Sequence, residues 1–280
     1  MAVYDRFGTD LKECAFDVDA SGLGDAFDVE GDDLFSASFS FVAMSYNVQW
    51  WHNTNSVPEY QQGLLTEYDP DVIGYQEFQM VDYSTIPDLA AATLSDYDYH
   101  MSPYGNKNAL ASKEEMRDFT TYLHEVQTVN IYSYCVAWIV VNGKEIAIIT
   151  SHLAESAFED AKVAQAHEIY EFVRQFPRFI LMGDFNTVCK STSDTEYRTI
   201  MKQFVDAGFG VANCSAQHGF IDTWTDSQTK VGTWYPCDHV ITSPNITITD
   251  VVADESKIPL AQPMDRSIDH LPVIAYLTVK

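Results

Sequence analysis

The chain has 280 residues, of which 46% are hydrophobic and 13% aromatic. This composition excludes a mainly disordered protein and allows a substantial core. Its 41 acidic and 16 basic residues give a formal net charge of −25, which opposes the long-range attraction of a polyanion. No apolar run reaches the roughly 20 residues that cross a bilayer, and residues 1–6 lack the pattern of a signal peptide. We therefore expect a soluble chain without a membrane partner; its compartment is not indicated.

Residues 1–38 are crowded with Asp and Glu and interrupted by glycines, and they predict an acidic segment appended to a domain at 39–280. Within this segment, residues 17–28 place oxygen-bearing side chains and a glycine at the offsets of a calcium-binding EF-hand loop. Three features favour a solvated acidic loop instead, and one is the lack of convincing flanking helices. Position twelve is Asp28 rather than Glu, and position eight is Gly24 rather than an apolar residue.

From Phe39 onward, strand-like apolar runs are mixed with helical patterns. Strands are predicted over residues 39–46, 72–76, 179–182 and 273–277, and near 240–241. Capping boxes that begin at Ser56 and Ser156 predict helices ending near residues 69 and 175. The pair Asn142-Gly143 predicts a β-hairpin between strands at 134–141 and 144–150.

Polar side chains stand directly after many of these apolar runs. They are Asn47, Glu77, His152, Asp184 with Asn186, Asp238, and Asp269 with His270. A turn or a solvated strand end explains any one of them, but folding does not require the whole set. Because strand ends support side chains rigidly beside a crevice, the set predicts phosphate chemistry at a bound metal.

The motifs around these residues occur in a specific order. They are Ser45-Tyr46-Asn47, Gln76-Glu77, Ser151-His152, Gly183-Asp184-Phe185-Asn186, Cys237-Asp238 and Asp269-His270. With them the chain resembles the endonuclease/exonuclease/phosphatase superfamily, whose fold is that of deoxyribonuclease I, over about residues 39–280. The resemblance implies an α+β fold, an α/β/β/α four-layer sandwich of two packed mixed β-sheets flanked by helices. It also implies single-step, metal-assisted hydrolysis of phosphoester bonds.

Elementary chemistry suggests roles for three of these residues. Glu77 is a hard oxygen ligand suited to Mg²⁺, with Mn²⁺ as the alternative. Asn47 can hold a metal-bound water or a phosphate oxygen without adding charge. His270 is the natural general base for an attacking water, and a carboxylate would orient its imidazole.

The resemblance implies the remaining roles. Asp238 would be the carboxylate that orients the base, and Asp269 would face the metal. Asp184 and Asn186 would position the water and the phosphate, while His152 donates to a phosphoryl oxygen as charge develops.

Further residues are candidates for substrate binding. Many family members carry an Arg on the strand before the second hairpin arm, where it contacts phosphate; this chain has none there, and Tyr132 or Tyr134 is expected to substitute as a hydroxyl donor. Lys107, Lys113 and Arg117 form a small basic group that would guide a phosphate backbone or lie on the solvated surface.

The leading hypothesis is a Mg²⁺-dependent phosphodiesterase of nuclease type that acts as a monomer and binds nucleic acid transiently. The aromatic pairs Trp50-Trp51 and Trp234-Tyr235 would then stack bases, with core packing as the alternative. A phosphatase or phosphodiesterase for a small or lipid phosphate is the second hypothesis, favoured by the acidic composition and the missing Arg. A catalytically silent calcium-binding or interaction module is the third. Family resemblance implies the reaction rather than the substrate.

Overall fold

The computed structural model describes residues 37–48, 56–78, 94–104, 107–224, 235–253 and 270–280. The predicted acidic segment lies outside them except for residues 37 and 38, and so do Asp269, Trp50-Trp51 and Trp234. The predictions made for those residues therefore remain predictions. Within the described ranges, no helix combines the length and the apolar character needed to cross a membrane.

The strands of the described residues form two six-stranded sheets. In spatial order the first sheet contains β11 (Ile246–Ala253), β12 (Val273–Val279), β1 (Phe39–Asn47), β2 (Val72–Gln76), β4 (Ala109–Ser112) and β3 (Asp98–Met101). The second contains β5 (Arg117–Leu123), β6 (Ser133–Val141), β7 (Lys144–His152), β8 (Phe179–Asp184), β10 (Asp238–Thr242) and β9 (Gly210–Val211).

Both sheets are mixed. In the first, β1 runs parallel to β2 and antiparallel to β12; in the second, β7 runs parallel to β8 and antiparallel to β6. The predicted hairpin is confirmed, since β6 and β7 pair from Val141 and Lys144 onward. Asn142 and Gly143 have φ angles of 50° and 74°, and positive values at both central residues are what a tight hairpin turn requires.

In the part of the chain that the structure describes, two longer α-helices and one short α-helix accompany the sheets: α1 (Ser56–Tyr68), α2 (Glu159–Val173) and α3 (Lys202–Asp206). A π-helical turn, Tyr197–Met201, leads into α3. A 3₁₀ turn, Ser156–Phe158, precedes α2. The capping prediction at Ser156 is wrong, because the residue at the N-cap of α2 is Phe158 and no side chain caps it. The hydroxyl of Ser156 instead lies 3.4 Å from the carbonyl oxygen of Asn186, so a tertiary contact replaces the local one.

Three layers of apolar side chains hold these elements together. Residues such as Ile148 and Met182 pack between the sheets. Leu64 of α1 packs on the outer face of the first sheet, and Ile169 of α2 with Phe204 of α3 packs on the outer face of the second. The result is the predicted four-layer α/β/β/α sandwich.

The sheets approach closely at Gly74 of β2. A Cβ atom there would lie 2.5 Å from the Cβ of Met182 and 3.2 Å from the Cβ of Thr150, so only glycine fits. Next to this contact, the amide nitrogen of Gln76 donates to Thr150 Oγ1 at 2.9 Å. The ends of β2 and β7 are therefore held side by side, and the residues that follow them share one edge of the sandwich.

Candidate active site

Asp184 lies at the centre of a cluster of buried polar residues at this edge. It is the last residue of β8, and the strand register places it between His152 of β7 and Asp238 of β10. From the first sheet, Asn47 ends β1 opposite Gln76 of β2, and Glu77 follows directly. Strand pairing thus brings together five residues predicted from widely separated parts of the sequence.

Asp184 accepts hydrogen bonds from two other residues of the cluster. Its Oδ2 accepts from Asn47 Nδ2 at 2.9 Å, and its Oδ1 accepts from the backbone N–H of Asn186 at 2.8 Å. The Nε2 atoms of His152 and His270 lie 3.5 and 3.7 Å from Oδ2. Burial raises the pKa of Asp184, but the two imidazoles and these hydrogen bonds outweigh it and lower the pKa below its ordinary value.

His270 and Asp238 form a buried dyad. Nδ1 of His270 lies 2.9 Å from Asp238 Oδ2, and a proton on Nδ1 directs the other ring nitrogen toward the cluster. Burial raises the pKa of Asp238 to about 6, while His270 acts in the opposite direction. The dyad has the geometry of a general base and the carboxylate that orients it.

Thr223 supports this dyad. Its Oγ1 accepts the backbone N–H of Asp238 at 3.0 Å, and its carbonyl accepts the N–H of Leu271 at 2.6 Å. The neighbouring Trp224 pairs with His270 in an isolated β-bridge. These contacts join residues far apart in the chain without a motif, so sequence reasoning did not find them.

Glu77 and Asn47 form the part of the cluster contributed by the first sheet. Asn47 Nδ2 lies 3.4 Å from Glu77 Oε1 as well as 2.9 Å from Asp184, so two carboxylates face one amide. Glu77 has a φ of 53°, a left-handed conformation that is uncommon for this residue and that occurs at functional sites.

The cluster fits a divalent cation. Ligand atoms of Asp184, Asp238 and His270 lie within 4.8 Å of one another. Because His270 and Asp238 are paired with each other, the oxygens left for a cation are those of Glu77 and Asn47, with Asp184 beside them. Hard cations such as Mg²⁺ take carboxylate and amide oxygens and keep several waters, and this donor set supplies those oxygens. Asp269, the remaining predicted ligand, lies outside the described residues.

His152 and Asn186 line the side of the cluster formed by the second sheet. Asn186 Nδ2 donates to the carbonyl of Leu153 at 2.9 Å and lies 3.1 Å from His152 Nε2. Burial lowers the pKa of His152, with Asp184 acting in the opposite direction. The ring of Tyr132 packs edge-on against His152, with centroids 5.7 Å apart, so Tyr132 reaches the cluster.

Tyr134 does not reach the cluster. It packs on the outer face of the second sheet, 5.1 Å from His124 and 5.0 Å from Phe172 between ring centroids. Residues two apart share a face only within a strand. Tyr134 lies within β6 but Tyr132 precedes it, so the two rings need not lie on the same face. Of the two tyrosines, Tyr132 is the one that lies beside the cluster.

Lys113 also lies away from the cluster. It was predicted to bind substrate there, and its position does not agree with that prediction. Ser112 of β4 pairs with Val72 at the start of β2, so the next residue lies at the end opposite Glu77, roughly 20 Å along the strand. There Lys113 Nζ contacts Asp69 Oδ1 at 2.8 Å and Asp71 Oδ1 at 3.3 Å.

The rest of the predicted basic group is divided. Arg117 pairs with Glu145 at 3.0 Å near the turn of the hairpin, far from the cluster. Lys107 does lie at the cluster end, because its carbonyl accepts the N–H of Phe78 at 2.7 Å, directly after Glu77.

Two mixed sheets packed between helices, with carboxylates, histidines and an asparagine gathered at one edge, define the DNase I-like class of phosphoesterases. The model of the Endonuclease/Exonuclease/phosphatase family matches residues 44–259, and the chain belongs to this family. Members of this family hydrolyse phosphoester bonds, and this chain is a hydrolase of that class, which argues against a silent module. A search of curated proteins found no match.

Solved structures share the fold at low sequence identity. A family protein from Bacteroides thetaiotaomicron is 16% identical with a TM-score of 0.66, over 87% of this chain and 96% of its own. D. rerio TDP2 complexed with a single-strand DNA product is 17% identical with a TM-score of 0.65, over 85% and 98%. A mannosyl-6-phosphatase from B. thetaiotaomicron is 16% identical with a TM-score of 0.64, over 85% and 99%. At these identities the similarity concerns the fold alone.

Proposed function

We propose that this chain is a Mg²⁺-dependent phosphodiesterase that cleaves nucleic acid. The observation that carries the proposal is the convergence of the His270–Asp238 dyad on Asp184, Asn47 and Glu77 at one edge of the sandwich. A general base, a place for a hard cation and neutral hydrogen-bond donors are the parts that phosphoester hydrolysis needs.

The dyad activates the attacking water. Asp238 accepts the Nδ1 proton of His270, which leaves Nε2 unprotonated and directed toward the cluster. Nε2 takes a proton from water as the water attacks phosphorus, and the carboxylate stabilises the imidazolium that forms. No nucleophilic side chain is needed, so the reaction is a single displacement without a covalent enzyme intermediate.

The other cluster residues bind and orient the phosphate. Glu77, Asn47 and Asp269 would hold the cation, which supplies charge neutralisation at the phosphate when bound. Asn186 and Asp184 position the water and the phosphate, and His152 donates to a phosphoryl oxygen as charge develops. The hydroxyl of Tyr132 replaces the arginine that many relatives carry.

Aromatic rings beside the dyad support a nucleic-acid substrate. Trp224 and Tyr235 stack with centroids 5.8 Å apart, and Trp224 lies 6.4 Å from the His270 ring. Both rings are half-buried, and the Lys190 ammonium lies 5.1 Å from the centre of the Tyr235 ring. A partly exposed aromatic pair with a nearby cation suits the stacking of a base.

A small phosphate ester is the second candidate substrate, and the placement of the basic residues favours it. Lys113 and Arg117 are paired with carboxylates away from the cluster, so they do not guide a polyanion into it. With a formal charge of −25, the chain attracts an extended phosphate backbone poorly. A substrate with a single phosphate requires neither feature.

Hydrolysis of three substrates tests the proposal. We would compare plasmid DNA, bis(p-nitrophenyl) phosphate and p-nitrophenyl phosphate, each with Mg²⁺, Mn²⁺ or EDTA. Metal-dependent nicking that weakens steeply with salt supports the nuclease. Turnover of only the small esters, with little salt dependence, supports the second candidate.

The variant His270→Ala shows whether this site is responsible. We expect it to lose at least about a hundredfold in rate, whereas His167→Ala, at an exposed position of α2, serves as the matched control and retains full activity. Equal activity of His270→Ala and the unaltered chain would disprove the mechanism.

A further inference from the structure

We propose that Lys162 is a positioning residue of this site: its buried ammonium group holds the loop that follows β8 and thereby sets Asn186 against Asp184 and His152. The inference rests on the function proposed above for these residues. It concerns a residue of α2 that touches neither substrate nor metal and acts only through the loop.

Lys162 is completely buried, which is rare for a lysine. Its Nζ donates to the carbonyl oxygen of Asn186 at 2.9 Å and to Glu196 Oε1 at 2.7 Å. A third partner, Glu159 Oε2, lies 3.0 Å away. Because an ammonium removed from water is costly unless it is paired and hydrogen-bonded, these partners fix the position of the side chain.

Glu196 extends the contact to a second point on the loop. While one of its carboxylate oxygens accepts from Lys162, the other accepts the backbone N–H of Val188. The Lys162–Glu196 pair therefore binds the carbonyl of Asn186 and the amide two residues later. A loop held at both points has little freedom to change the direction of the Asn186 side chain.

The held conformation is a sparsely populated one for Asn186. Its φ is 49°, in the left-handed region that costs free energy for a residue other than glycine, although Asn tolerates it better than most. In this conformation its backbone N–H donates to Asp184 Oδ1 and its side chain lies 3.1 Å from His152 Nε2. The contacts thus run from Lys162 through one residue into the cluster.

The same face of α2 repeats this arrangement. Gln165 Oε1 accepts the backbone N–H of Ala154, just beyond His152, at 2.7 Å. One turn further, Glu168 Oε2 lies 3.0 Å from His124 Nδ1. Residues three apart on a helix share a face, so α2 presents successive polar side chains to separate loops at the catalytic edge. Lys162 is the member of this row that bonds directly to the backbone of a cluster residue.

Substitution of Lys162 by Met tests the inference, because Met keeps the length of the side chain but removes the ammonium. We expect kcat to fall about 10- to 100-fold, as for other residues that orient a catalytic group without touching the substrate. KM should change less than about threefold. Lys162→Arg restores a donor and should recover part of kcat. Glu196→Gln, which leaves one acceptor oxygen for the two donors of Lys162 and Val188, should also lower kcat, by a smaller factor.

Lys144→Met is the matched control. Lys144 is also buried and donates to a backbone carbonyl, that of Ala37, at 3.0 Å. It begins β7, whereas His152 ends that strand, so it lies at the opposite end of the same sheet. We expect Lys144→Met to lower the melting temperature while leaving kcat unchanged.

A double-mutant cycle with Asn186→Ala separates positioning from general destabilisation. If Lys162 acts through Asn186, adding Lys162→Met to Asn186→Ala lowers kcat by less than about threefold. A full multiplicative loss would overturn the inference, and so would unchanged kcat in folded Lys162→Met. If Lys162→Met does not fold, the same cycle with Glu196→Gln decides by the same two outcomes.

A readout without substrate or metal keeps the inference separate from the proposed function. In NMR spectra, the side-chain amide of Asn186 should shift in Lys162→Met and not in Lys144→Met. Such a shift would support the positioning contact whether or not the chain is active. If the unaltered chain hydrolysed none of the three substrates, that result would refute the proposed function and leave the positioning contact standing. An unshifted amide would overturn the inference even if the chain were an active phosphodiesterase.

Discussion

Asn47 Nδ2 donates to Asp184 Oδ2 at 2.9 Å, and this hydrogen bond joins the two sheets at the edge that carries the polar cluster. Asn47 ends β1 of one sheet and Asp184 ends β8 of the other. Neither sheet contains the whole cluster. Glu77 follows β2 of the first sheet, whereas Asp238, the partner of His270, begins β10 of the second. The site therefore depends on how the sheets pack together as well as on its own residues.

Substitution of Asn47 by Asp should make folding depend on a divalent cation. The new carboxylate would lie beside Glu77 and Asp184, which the Asn47 amide now faces. Like charges that are buried together raise one another's pKa and destabilise the fold. We expect a loss of about 2 kcal/mol or more without metal and a larger rise in melting temperature on adding Mg²⁺ than in the unaltered chain.

Thermal unfolding with Mg²⁺ or with EDTA measures this effect. Ser45→Ala is the control, because Ser45 is buried on the same strand and carries no charge in either form. If Asn47→Asp gained no more from Mg²⁺ than Ser45→Ala does, the cation would not bind beside Asn47.

The close contact between the sheets predicts a strong effect at Gly74. A Cβ there would meet Met182 Cβ at 2.5 Å, and neither atom is at the flexible end of a side chain. We expect Gly74→Ala to destabilise the fold by about 1–3 kcal/mol and to lower activity, because the sheets must separate next to the site.

Gly63→Ala provides the opposite expectation. Gly63 lies within α1, and no atom stands within 4 Å of its added Cβ. Alanine at a helix interior should raise stability by roughly 0.5–1 kcal/mol. Urea unfolding gives the free energy of unfolding of Gly74→Ala and Gly63→Ala. Equal values for the two variants would show that the contact between the sheets at Gly74 is not tight.

In the described part of the chain, the polar residues predicted after apolar runs do lie at or next to strand ends, because each belongs to a local pattern, an apolar run followed by a polar group. The sequence predicted the hairpin at Asn142-Gly143 for the same reason. Lys113 and Tyr134 were misplaced because strand direction and strand face decide where they lie, and neither is visible in local sequence. Lys162 gave no signal, since its partners at Asn186 and Glu196 are 24 and 34 residues away.

Lys113→Met should leave catalysis unchanged. The ammonium group contacts Asp69 and Asp71 at the end of the sandwich opposite the cluster, and a partly exposed ion pair contributes about 0–1 kcal/mol. We therefore expect the same kcat/KM as in the unaltered chain, with a melting temperature lowered by at most a few degrees. A kcat/KM that fell tenfold on the nucleic acid would return Lys113 to the substrate path.

Asp238 should set the acid limit of activity. Its pKa is raised to about 6 by burial, so the carboxylate becomes protonated as the pH falls through about 6 and then no longer accepts the Nδ1 proton of His270. We expect kcat/KM to decline below that pH. Asp238→Asn should lower kcat about a thousandfold, because an amide does not stabilise the imidazolium.

The pH profile of kcat/KM, compared with the unfolding curve at each pH, tests this assignment. Activity that declines while the protein remains folded supports it. An unchanged rate in folded Asp238→Asn would show that another group orients the base.

His239 should make the fold sensitive to acid. It neighbours Asp238 on β10 but is completely buried, with Nε2 2.9 Å from Thr187 Oγ1. Burial lowers its pKa from 6.5 to about 4. Above pH 6.5 the imidazole is neutral in both the folded and the unfolded chain; between 6.5 and 4 only the unfolded chain takes up the proton. The stability this group contributes at neutral pH, about 3 kcal/mol, is lost as the pH falls through this window.

Urea unfolding of His239→Gln and the unaltered chain at pH 7 and pH 4.5 isolates this contribution. Asp238 acts in the opposite direction, because its raised pKa lets the folded chain take up a proton first, but it is present in both proteins and cancels in the comparison. We expect the variant to lose about 2–3 kcal/mol less than the unaltered chain between the two pH values. His167→Gln, at an exposed position, should follow the unaltered chain. Parallel losses in all three proteins would mean that the unfolding of this fold in acid is driven by carboxylates and not by His239.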